Sequence, residues 1–74
     1  MAALERKAAY VAASIQKEHT LEQAAAEVGA HPNHIYLVLA GKRTASQDLE
    51  ERLARYAGRS IEEFALDRAP AVAV

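Results

Sequence analysis

Cysteine is absent from the 74 residues, which excludes disulfide frameworks, thiolate zinc sites and cysteine nucleophiles, and suits a reducing compartment. No apolar run approaches the ~18 residues that a membrane span needs. The N-terminal stretch Met1-Ala2-Ala3-Leu4-Glu5-Arg6-Lys7 is charged too early for a secretory leader, so a cytoplasmic protein is expected. Alternating Val, Ile, Thr and aromatic residues are missing, and with them any strand signal. An excess of charge of one sign is missing too. Nine Lys and Arg stand against ten Asp and Glu, a net charge of -1, which excludes a globally basic coat but leaves room for a local basic patch. No Ser-His-Asp arrangement, glycine-rich phosphate loop or metalloprotease signature occurs, so neither catalysis nor a cofactor is expected.

What is present is alanine. The chain is 51% hydrophobic, yet 18 of those 38 residues are alanine, leaving 20 larger side chains. That supplies one modest core in one domain, with no room for a sizeable buried cofactor and no small-molecule ligand expected. Alanine-rich segments favour helix, and the three glycines, Gly29, Gly41 and Gly58, each close an apolar-periodic segment. The spacing therefore predicts an all-α bundle of about five short helices.

Leu4, Ala8, Val11 and Ile15 recur at helical spacing and predict a first helix over about 3–18. Thr20-Leu21-Glu22-Gln23 forms a capping box that opens a second helix ending near Val28. Pro32, at a first helical position after His31, starts a third with Ile35, Val38 and Leu39 as its buried stripe and Gly41 as its stop. Thr44 or Ser46 caps a fourth, with Leu49, Leu53, Tyr56 and Ala57 inward. Ser60-Ile61-Glu62-Glu63 reads as a second capping box before Phe64 and Leu66. The domain is expected over 1–68. The uncharged residues 69–74 read as a frayed tail or the start of a linker.

The informative stretch is Leu21 to Ala40. Its two helices are joined by Gly29-Ala30-His31, too short a link for an antiparallel hairpin, so they must cross steeply as in a helix-turn-helix. A small residue, Ala25, stands one turn before the glycine, and Gly29 supplies the positive φ. Ala24, Val28, Ala30, Ile35 and Val38 pin one helix on the other.

Thr20-Leu-Glu-Gln-Ala-Ala-Ala-Glu-Val-Gly29, then Ile35, Gly41-Lys42-Arg43 and the closing Ser60-Ile-Glu-Glu-Phe64, resemble the lambda-repressor-like (Cro/repressor, XRE-type) helix-turn-helix family, with the motif over about 20–41. The resemblance covers most of Thr20 to Phe64. It implies a lambda-repressor-like DNA-binding domain: a transcriptional regulator, often phage-encoded, whose third helix enters the major groove of double-stranded DNA. Carried over by position, His31, Pro32, Asn33, His34, Tyr36 and Leu37 are the expected base readers. Thr20, Gln23, Lys42 and Arg43 are the expected phosphate contacts, and Ala25, Gly29, Ile35 and Val38 hold the motif. The sequence departs from the pattern in three places. Leu21 stands where many relatives carry a phosphate-gripping glutamine. Leu37 fills a position that is often polar. The third helix has no Lys or Arg before Lys42.

Several residues carry two readings. Asn33 suits a bidentate pair with adenine and equally a plain helix start. Gln23 suits a cap or a reader. His31 and His34 are three apart, but no third ligand accompanies them, so no metal site is expected. Tyr10 and Tyr56 read as core-edge aromatics and His19 as a solvated loop residue. Too few phosphate contacts are available to a single module of near-neutral charge, so a homodimer on a palindromic operator is expected, with Phe64, Leu66, Val72 and Val74 as its seam. The alternative is a protein-interaction module on the same fold, of antitoxin or antirepressor type, that does not bind DNA itself.

Overall fold

Each helix end is set by chemistry within a few residues of it. In the computed structural model, which describes residues 1–66, the order is α1 (Ala3–Gln16), α2 (Leu21–Val28), α3 (Pro32–Leu39), α4 (Gln47–Tyr56) and α5 (Ile61–Phe64). No strand occurs among the described residues, and no helix there is long and apolar enough to cross a membrane. The tail 69–74, including Val72 and Val74, lies outside the described residues.

The Thr20 hydroxyl accepts the Gln23 N–H (3.1 Å) while the Gln23 side-chain oxygen accepts the Thr20 N–H (2.7 Å), so the first capping box is complete. Ser46, rather than Thr44, caps α4 by accepting the Leu49 N–H. Ser60 accepts the Glu63 N–H, but the Glu63 carboxylate pairs with Arg59 instead of returning to the cap, so the second box is half formed. Gly29 leaves α2 at φ 89, a left-handed conformation that costs glycine little, and the Gly29 and Ala30 N–H groups both donate to the Ala25 carbonyl. At Gly41 (φ 78) there is a second constraint. A Cβ would stand 2.7 Å from the Leu66 Cδ2, so the chain after α5 lies against a bare backbone.

The core runs through all five helices: Tyr10 and Ala13 of α1; Ala24, Ala25 and Val28 of α2; Ile35, Val38 and Leu39 of α3; Leu49, Leu53, Ala54 and Tyr56 of α4; Phe64 of α5. Ala24, Ile35, Leu39, Leu53 and Phe64 are fully inaccessible. Alanines in α2 let its backbone approach its neighbours closely, which suits a chain with few large apolar side chains.

The apolar residues whose spacing marks α1 as a helix are not the ones it buries. Leu4 is 81% and Ile15 69% exposed, and Ala8 is exposed as well, while Arg6, Tyr10, Ala13 and Ser14 face in. Both stripes have helical spacing. The buried one contains the large aromatic, and its two polar members find partners inside the fold. The Arg6 Nη2 donates to both Glu50 carboxylate oxygens at 3.1 Å, and the Ser14 hydroxyl donates to the Val11 carbonyl at 2.7 Å. The guanidinium also lies 5.1 Å from the centre of the Phe64 ring.

Candidate nucleic-acid interface

With Ile35, Val38 and Leu39 turned inward, α3 presents the remainder of its circumference outward: Asn33 exposed, and Pro32, His34, Tyr36 and Leu37 half-buried. Lys42, Arg43 and Thr44 follow in an exposed loop, and Thr20 and Gln23 stand exposed at the start of α2.

The Asn33 side chain has no partner among the described residues, so both its amide donors and its acceptor are available. His31 has a role that its residue type did not announce. It is the N-cap of α3, and its Nδ1 accepts the Asn33 backbone N–H at 3.1 Å. An imidazole that accepts at Nδ1 carries its proton on Nε2 when neutral, so it offers a donor outward. Thr20 and Gln23 follow the same logic. Their oxygens serve the α2 cap, leaving a hydroxyl hydrogen and an NH2 group to donate. The Lys42 ammonium has no partner among the described residues, though its backbone N–H donates to the Leu37 carbonyl. The Arg43 guanidinium makes no ion pair there and lies 3.4 Å from the His34 Nδ1. These groups all suit an acceptor-rich ligand such as a phosphate backbone. Glu22, in the first turn of α2, is the carboxylate on that turn.

Tyr36 sits between α3 and α1, with the Lys7 Nζ 5.5 Å from its ring centre, and Leu37 adds apolar surface beside it. His31 and His34 use their Nδ1 atoms in different directions, and no group of three or more His, Cys, Asp or Glu among the described residues is arranged to hold a metal.

Two expectations change. Phe64 is fully buried beneath Arg6 and Leu66 is half-buried against Gly41, so α5 keeps Phe64 in the core and offers it to no seam. His19 is not a solvated loop residue. It is half-buried, its Nδ1 lies 2.9 Å from the Tyr56 hydroxyl, and the two rings stack 6.1 Å apart. Tyr56 also carries Lys17, whose Nζ is 3.9 Å from the ring centre and donates to the Tyr56 carbonyl. Burial raises the Tyr56 hydroxyl above its ordinary pKa, helped by the Glu27 carboxylate. Burial, with Tyr56 and Tyr36 nearby, pushes Tyr10 up to about 12.

Sequence reasoning also missed Arg6 and Glu50. Nothing local marks an arginine in α1 as internal when its partner is 44 residues away. Beside this pair an open cleft of about 350 Å³ runs between α4, α5 and the 41–46 loop, with Thr44, Gln47 and Leu66 on its walls.

No family model matches the chain, and neither a curated protein nor a solved structure matches it.

Proposed function

We propose that this chain is a sequence-specific DNA-binding transcriptional regulator, a small Cro-like repressor of phage or prophage type, which uses α2 and α3 as a helix-turn-helix and lays α3 in the major groove of a palindromic operator. The observation that carries the reading is the unpartnered Asn33 amide at the exposed start of α3, directly after the His31 cap. Base reading needs such a side chain at the leading end of a groove-bound helix, and an asparagine can make two bonds to adenine. Thr20, Gln23, Lys42 and Arg43 supply phosphate contacts on either side, fixing the register in which Asn33 meets the base edges. His31 donates from Nε2, and the Leu37 side chain offers an apolar surface to a thymine methyl. Cytoplasmic, nucleoid-associated action goes with this reading.

Selection of bound sequences from a random duplex pool, followed by affinity across a salt series, tests the proposal. The expected outcome is an enriched near-palindrome, bound with a steep salt dependence because displaced counterions drive association. Lys42→Ala then lowers the salt slope by about one unit and weakens all sequences alike. A pool that stays random, with no binding at low salt, refutes it.

The second reading is an antitoxin- or antirepressor-type module whose α3 meets a protein. The half-exposed Tyr36 and Leu37 and the lack of any cation within α3 favour it. A duplex-independent complex formed through Tyr36 is its signature.

A further inference from the structure

Helix α3 has no Lys or Arg of its own, yet both of its sides meet a cation from elsewhere in the chain. At about 100° per residue, Asn33 and Leu37 share the outermost line of the helix, opposite the buried Ile35, Val38 and Leu39. His34 and Tyr36 then stand about 80° to either side of that line. On the Tyr36 side, the Lys7 Nζ of α1 lies 5.5 Å from the ring centre. On the His34 side, the Arg43 Nη1 lies 3.4 Å from the imidazole Nδ1, which can only accept from a guanidinium. Lys7 and Arg43 are both exposed, and neither is in an ion pair among the described residues. No acid stands three or four positions from Lys7 on α1, and its neighbour Glu5 has a carboxylate oxygen engaged by the Ala2 N–H at 3.0 Å.

We infer, resting on the DNA-binding reading, that Lys7 and Arg43 straddle α3 and contact phosphates of opposite strands when that helix lies in the major groove. A helix with its side chains is about 10–12 Å across and the groove about 12 Å wide, so the two flanks of a groove-bound helix face the two sugar-phosphate walls. Cations on one flank alone would draw the helix towards one wall. Cations on both hold the Asn33–Leu37 line over the base edges, where sequence is read. Charge therefore sits at the margins, where the phosphates are, and the centre is left to an amide and an apolar side chain. Tyr36 and His34 are positioning residues in this arrangement. The ring beside Lys7 and the imidazole beside Arg43 keep two long side chains at the edges of α3 rather than out in solvent. Lys7 thus joins the interface from α1, an element outside the helix-turn-helix.

The test uses the full chain and the duplex enriched from the random pool. Lys7→Gln and Arg43→Gln should each lower the salt slope of binding by about one unit, and Lys7→Arg should restore it because charge and reach are kept. Melting temperatures should not move, since both side chains are exposed. Single neutral methylphosphonates, walked along each strand of a half-site, then locate the contacts. Lys7→Gln should become indifferent to a position on one strand, and Arg43→Gln to a position on the other. Tyr36→Ala should blunt the response at the Lys7 position and leave the Arg43 position as it was, which a general loosening of the fold would not do. An unchanged slope in Lys7→Gln, or two variants that fall silent on the same strand, overturns the inference and leaves the DNA-binding reading standing. A pool that yields no bound duplex overturns both.

Discussion

In the α2–α3 pair every chain reversal is governed by residues within four positions of it: the Thr20–Gln23 box, the left-handed Gly29, the His31 cap ahead of Pro32. Helix α1 is governed from far away. Its length follows from its composition, but which side faces in depends on Glu50 and Phe64, distant along the chain, accepting Arg6. Local hydrogen bonds fix where a helix starts and stops because both partners lie within three residues of each other in the sequence. The choice of face is a competition between stripes, and in α1 both stripes had the proper period. Periodicity alone weighs Leu4 and Ile15 above Arg6, but burying Tyr10 and pairing Arg6 with Glu50 reverses that order.

The contrast can be broken most forcefully at Arg6. Arg6→Ala leaves the Glu50 carboxylate, one quarter exposed, without its partner and empties space under the Phe64 ring, and should cost about 3 kcal/mol in urea unfolding. Joint Arg6→Met and Glu50→Leu substitution should recover most of that loss. If it does not, the pair matters for more than its mutual compensation.

Ala25→Leu attacks the other region. Ala25 is 2% exposed, so a larger side chain has to force α2 away from its neighbours at a cost of roughly 1–3 kcal/mol, read as a lowered melting temperature.

Tyr10 tests the buried face of α1 by pH. Its hydroxyl is held protonated up to about 12 by burial, with Tyr56 and Tyr36 adding to the effect, against an ordinary value of 10.0. The folded chain thus binds this proton more tightly than the unfolded chain does. The associated stability is complete below pH 10 and is lost as pH rises towards 12, at most roughly 3 kcal/mol. Alkaline unfolding should accompany the appearance of phenolate absorbance, and Tyr10→Phe should shift that unfolding upward in pH.

The smallest effect belongs to a single cap. Thr20→Ala removes the oxygen that accepts the Gln23 N–H and should cost about 1 kcal/mol.

Much of the candidate interface was legible for the same reason that α2 and α3 were. The exposure of Asn33, Lys42 and Arg43 follows once Ile35, Val38 and Leu39 take the inside of α3 and Gly41 ends it. The capping role of His31 was not legible, because an imidazole accepts at Nδ1 only in one tautomer and one rotamer, neither of which sequence specifies. Placing Phe64 on a seam failed because α5 is a four-residue helix, too short for periodicity to show which way it faces. His19 was misjudged because its partner, Tyr56, is 37 residues on.

The central claim is that Asn33 reads a base from the exposed start of α3. The most direct measurement is the affinity of Asn33→Ala for the selected duplex and for a scrambled duplex of the same length and composition, with melting temperature as the control. The account predicts a loss of about 1–3 kcal/mol on the selected site, little change on the scrambled one and an unaltered melting temperature, since Asn33 is exposed and its side chain supports nothing else. An equal loss on both duplexes, or none on either, would contradict it.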